Sequence, residues 1–208
     1  MPIPDTNSFP TYSYTAEVGD DAFAERMTYG LVKELTLSFN GGEAMKVEAT
    51  MMGRLGTSTN AEGTFVNAGT APTVEIILAS KGTAYLSPVG SGWGTGQVTP
   101  GNILAGQITF TPLWTPKFPV DAGNLYFHTA VYTGMDIEGE ITLEHQISGT
   151  YGAAGSAGQI EKWRSELSQL LTMTWRGAAI AEGTTYTSKE LTIQLPIHWQ
   201  KFEPLDDI

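Results

Sequence analysis

Through much of this chain apolar and polar residues alternate one by one, the period of a strand with one covered and one wet face. "YSYTAEV" (12–18) reads as a first strand. In "GLVKELTLSF" (30–39), Leu31, Leu35, Leu37 and Phe39 share a face. After "NGG" (40–42), "EAMKVEATMMGR" (43–54) puts Met45, Val47, Ala49 and Met51 on one face. Two alternating runs about an Asn-Gly turn predict a hairpin. "VEIIL" (74–78) reads as a short, largely buried strand. "ILAGQITFTPLW" (103–114) follows, with Ile108 and Phe110 inward, and then "NLYFHTAVYTG" (124–134). In "DIEGEITLEHQ" (136–146), Ile137, Gly139, Ile141 and Leu143 are expected inside and Glu138, Glu140, Thr142 and Glu144 outside. "LTMTWRG" (171–177) and "ELTIQLPIHW" (190–199) close the series.

One segment changes period. In "QIEKWRSELSQLL", Ile160, Trp163, Leu167, Leu170 and Leu171 form a helical stripe, and Ser156 with Gln159 resembles a capping box. A helix over about 157–170 is predicted. Residues 55–73, 87–102 and 148–158 carry no period and read as long loops, which tend to be functional or to meet partners. The sum is an antiparallel β-sandwich or barrel of about eight to ten strands with one flanking α-helix. A proline-rich extended arm (1–11) precedes the sandwich domain (12–200), and an acidic tail (201–208) follows it. "LVKELTLSF" (31–39) echoes "LAGQITFTP" (104–112), which leaves an internal duplication with a break near 79–102 open.

Composition sharpens the picture. Only 16% of the residues are charged, and the net charge is −11, from 22 acids and 11 bases. The bases are scattered singly, so there is no basic patch for phosphate. With no cysteine, disulfides and thiolate metal sites are excluded. "MPIPDTNSFP" lacks a basic segment followed by an apolar run, and no apolar stretch reaches about 20 residues. A soluble protein without a secretion signal is expected.

Chemistry does not assemble along the chain. "GSGWGTG" (90–96) is glycine-rich, but no helix and no Lys-Ser/Thr pair follow it to cradle a phosphate. His128, His145 and His198 lack metal-ligand spacing and read as packed or surface imidazoles. No catalytic residue, cofactor or metal is expected. Trp163 and Trp175 lie on apolar stripes and read as core. Trp93, between Gly92 and Gly94, either docks into a neighbouring subunit or pins its own loop. The three glutamates on one strand face are the odd feature, since like charges repel there and Glu is a poor strand former. Alone, the row reads as a solvated sheet surface.

The order of these pieces resembles the tail tube (major tail) proteins of long-tailed, siphovirus-type bacteriophages. In that family a strand of "T-x-E" character, here "YSYTAEVGD", precedes a "G-x-x-V-x-x-L-T-L" strand and a return strand ending in "G-R", here Gly53-Arg54. "ILAGQITFTPLW", a Glu-bearing strand, a Trp-bearing helix, "RGAAIAEG" and "ELTIQLPIHW" continue the likeness, over roughly residues 11–205. The resemblance implies a virion structural protein made in the host cytoplasm. Copies would join into a ring of six tube modules, from six single-module or three double-module subunits. Rings would stack into a hollow tail tube, through which the tape measure protein and genomic DNA pass without specific binding. Tail tip and tail terminator proteins would be its other partners, with no membrane. Glu138, Glu140 and Glu144 would then line the lumen, where like sign lets DNA slide, and Trp93, Gly92 and Gly94 would make contacts between rings or subunits. A tail terminator or other injection-system component of the same fold, or a carbohydrate-binding β-sandwich module, are the alternative readings.

Overall fold

The computed structural model describes residues 14–19, 24–55, 76–94, 103–118, 120, 126–143, 156–179 and 188–203. The N-terminal arm, most of the 55–73 loop, Glu144, His145 and residues 204–208 lie outside them. Eight strands appear among the described residues: β1 (Tyr14–Gly19), β2 (Ala24–Asn40), β3 (Lys46–Leu55), β4 (Gly82–Pro88), β5 (Ile103–Lys117), β6 (Thr129–Leu143), β7 (Gln169–Ala179) and β8 (Ser188–Ile197). One helix, α1, spans Ser156–Arg164. The fold is therefore of the expected class: mainly β, built of antiparallel sheets, with a single helix, consistent with a β-sandwich. No helix is long and apolar enough to cross a membrane among the described residues.

One sheet has five strands in the order β1-β2-β5-β6, with β3 also pairing β2, and the other has three in the order β4-β7-β8. The hairpin forms where "NGG" predicts it. Glu43 N–H donates to the Asn40 carbonyl (3.0 Å), and Gly42 takes φ 95°, a conformation that glycine adopts without steric cost. The two echoing segments belong to β2 and β5, which are hydrogen-bonded neighbours.

By backbone contacts the chain divides into two compact units: residues 1–36, 47–72 and 109–138, and residues 37–46, 73–108 and 139–208. In the first unit Leu31 and Phe127 are buried. Trp114 stacks at a tilt on Tyr132 (5.3 Å between centroids) and donates its indole N–H to the Val32 carbonyl (2.8 Å). In the second unit Leu37, Phe39, Leu86, Ile108, Leu171, Met173, Trp175 and Ile193 are buried. Phe39 of β2 meets Trp175 of β7 at 5.4 Å, joining the two sheets there. β7 lies between β4 and β8, with seven consecutive residues, Gln169 to Trp175, wholly or half buried.

The helix corrects one expectation. It ends at Arg164 rather than near 170, and Leu170 and Leu171 belong to β7. Leu167 N–H donates to the Lys162 carbonyl (2.9 Å), Glu166 N–H donates to the Trp163 carbonyl (3.0 Å), and Glu166 has φ 52°. That is a Schellman stop, usually signalled by glycine but carried here by a glutamate. Gln159 does not turn back as a capping partner. It is fully buried, and its side-chain oxygen accepts from the Trp199 indole (3.3 Å), which also donates to the Gln169 oxygen (3.0 Å).

Other elements differ as well. The strand expected at 74–78 is reduced among the described residues to a bridge between Leu78 and Ala44, with Ile76 67% exposed. β4 occupies a stretch without alternation, and its Ser87 and Pro88 come out of the expected 87–102 loop. The strands expected at 124–134 and 136–146 are one strand, β6. Phe202, in the expected acidic tail, packs on Trp163 (5.9 Å) and Trp199 (5.4 Å).

Candidate assembly surface

β6 stands at one end of the five-stranded order. Its first half is held to β5 by the Tyr132–Trp114 stack and by the Thr133 hydroxyl, which donates to the Leu113 carbonyl (3.0 Å). From Met135 to Glu140 every residue is exposed, whichever face it occupies. Ile137, expected inside, is 42% exposed, and Met135 is 40% exposed. Ile141 and Leu143 are half-buried. The reason is positional: a terminal strand has a neighbour on one edge only, and none of the described residues covers the segment.

Glu138 and Glu140 are exposed, as expected, and Asp136 adds a third carboxylate at the same two-residue spacing. No ion pair holds any of the three among the described residues; the ion pairs seen there join Glu43 to Lys46, Glu190 to Arg176 and Glu203 to Lys201. Carboxylates two residues apart on a strand sit about 7 Å from each other. In water their repulsion is about 0.6 kcal/mol per adjacent pair. β3 shows a similar openness: Lys46 to Thr50 are all exposed, including Val47 (59%) on the apolar face of the alternation.

The loop after β4 is built on a turn in which Ser91 donates to the Pro88 carbonyl from both its backbone N–H (3.2 Å) and its hydroxyl (2.7 Å). Gly90 (φ 99°) and Gly94 (φ 68°) flank Gly92 and Trp93. Trp93 is 40% exposed and Val89 63%. Residues 95–102 lie outside the described residues.

One cluster has no counterpart in the sequence reading. The Arg54 guanidinium lies over the Tyr29 ring (4.4 Å) and near the Phe127 ring (5.4 Å). Its Nε is buried without a hydrogen-bond partner. Tyr29 has φ 52° and sits where the β1–β2 register slips by one residue, between the pairs Tyr14–Gly30 and Ala16–Met27. The only hint in the sequence is Gly53 before Arg54. A Cβ at Gly53 would collide with the Met27 side chain, which packs directly over this glycine.

The second unit holds an open cleft of roughly 310 Å³ lined by Phe39, Tyr85, Leu104, Met173 and Trp175, with the hydroxyl-bearing Ser80 and Thr83. Among the described residues no histidine or carboxylate lines it. His128 and His198 are exposed. No group of three metal-ligating side chains occurs among the described residues. No protein-family model matches the chain, and no curated protein matches it.

Proposed function

We propose that this protein is a structural subunit of a bacteriophage tail tube, which joins copies of itself edge to edge into closed rings that stack around a DNA channel. The observation that carries the reading is β6: a terminal strand, open on both faces from Met135 to Glu140, with apolar and acidic residues in alternation. An uncovered edge of this kind is an aggregation hazard unless another chain covers it, and a ring closes every edge at once. Half-exposed Met135 and Ile137 supply apolar area for the neighbouring copy. Glu138 and Glu140 supply a wall of the same sign as DNA, which lowers sticking, and Glu144, outside the described residues, shares their parity in the sequence. The order of sequence pieces, which resembles that of tail tube proteins, supports the same reading.

Negative-stain electron microscopy of the purified protein tests it. Hollow stacked rings are the expected result. A single closed ring that never stacks favours a tail terminator, and monomers at all concentrations overturn the proposal.

A further inference from the structure

Helix α1 is docked through polar groups that are only half satisfied. Gln159 of α1 and Gln169 of β7 are 0% and 1% exposed, and their side-chain oxygens share one donor, the Trp199 indole N–H. Both side-chain nitrogens are buried without a hydrogen-bond partner among the described residues. Each carries two N–H donors, and a buried donor without an acceptor forfeits the bond that it would make to water.

The connections of α1 leave it free to part from the sheet. It has nine residues, too few to hold a helix by propensity alone, so docking decides whether it forms. Arg164 to Ser168, which tie it to β7, are all exposed. Within this link Glu166 is held at φ 52°, a conformation that non-glycine residues avoid. If α1 leaves, the Trp199 N–H keeps its shorter bond, 3.0 Å to Gln169, and gives up only the 3.3 Å bond to Gln159. Both carboxamides then reach water. What opposes release is Trp163. Its ring packs on Phe202 at 5.9 Å, and its indole N–H donates to the Gln200 carbonyl at 3.0 Å. All of these residues belong to the second unit.

We infer that α1 is a latch: Trp163 is its catch on the segment after β8, the unmatched Gln159 amide works against that catch, and α1 undocks and unravels about residues 165–168 while both sheets stay folded. Opening uncovers the Gln169 carboxamide and the Trp199 indole at the start of β7. The latch belongs to the single subunit and does not need the ring.

Hydrogen exchange of the unassembled subunit, read by mass spectrometry, tests it on wild type and on two variants checked for folding by circular dichroism. In wild type, amides of residues 160–167 are expected to exchange at least about 10-fold faster than those of residues 171–175. Gln159→Met keeps the volume and removes the unmatched donors, so it is expected to slow exchange in α1 by about 10-fold and to leave β7 unchanged. Trp163→Ala removes the catch and is expected to speed exchange in α1 alone. Equal rates for α1 and β7 in wild type overturn the latch, because the helix then opens only with the whole fold. Exchange in Gln159→Met as fast as in wild type, or faster, also overturns it, since the buried amide is then not what loosens α1. If Trp163→Ala does not fold, Gln159→Met decides by itself.

Discussion

At the scale of single residues, the clearest energetic assignments are in the second unit. Trp175 is 2% exposed and meets Phe39. Gly82 makes room for it, since a Cβ there would come within 2.5 Å of the indole nitrogen. Trp175→Ala leaves a large cavity, and urea denaturation is expected to show a loss of about 3–5 kcal/mol. Ile137 makes the opposite case. It is apolar but 42% exposed, so Ile137→Ser is expected to change subunit stability by less than about 0.5 kcal/mol. The same substitution should weaken assembly, and parallel denaturation and sedimentation measurements separate the two effects. Glu190 carries a pH signature. The side-chain hydrogen bond from Arg176 (2.8 Å), with a second from Thr192, lowers its pKa below the usual carboxylate value. A depressed carboxylate stabilises the fold above its unfolded pKa, and that contribution is lost as pH falls through the folded value. The group is exposed, so the effect is small. Thermal melts from neutral to acid pH should fall slightly less steeply for Glu190→Gln than for wild type.

At the scale of elements, the end of α1 shows how a stop signal hides. The apolar stripe continues through Leu167, Leu170 and Leu171, and no glycine or proline interrupts it. The chain nevertheless turns at Glu166, because β7 needs Leu171, Met173 and Trp175 in the core. Glu166 bears the left-handed conformation at a steric cost of roughly 1–2 kcal/mol. Glu166→Gly relieves it and is expected to raise stability by about 0.5–1 kcal/mol, as a higher urea midpoint at unchanged slope. β4 was hidden for another reason. "GTAYLSP" has glycine, alanine and proline in place of alternating branched residues, and it becomes a strand by pairing with seven residues of β7. The loop of Gly90 and Trp93 is the element to test for stacking. Deleting residues 90–96 is expected to leave a folded β-rich protein that forms rings but no long tubes, and tubes of normal length would remove that loop from the contact.

At the scale of the whole molecule, charge and openness act together. The chain carries −11 and keeps Glu138 and Glu140 on an uncovered strand. On the proposed reading, a ring of six would gather about 18 negative charges per layer from three glutamates per copy, within a low-dielectric wall that would strengthen their field. Replacing Glu138, Glu140 and Glu144 with lysine keeps the apolar parity, so rings should still form. The channel should then bind DNA with an affinity that falls steeply as salt rises, and tails built from the variant should eject DNA slowly in low salt. Normal ejection in low salt would place these side chains away from the channel.

What the sequence determined by itself is what local pattern can carry. Alternation of apolar and polar residues located β2, β5, β7 and β8, and the Asn40–Gly42 turn located the hairpin. Each depends on neighbours a few residues apart. The tertiary structure decided the rest. Alternation says that Ile137 and Val47 belong to one side of a strand, but whether that side is covered depends on which strands stand at the margin of the sheet. The helix ends at Arg164 because a distant core claims the next leucines. Arg54, Tyr29 and Phe127 come from segments far apart in the chain, and a cation between rings forms only when pairing and a one-residue slip in register bring them together.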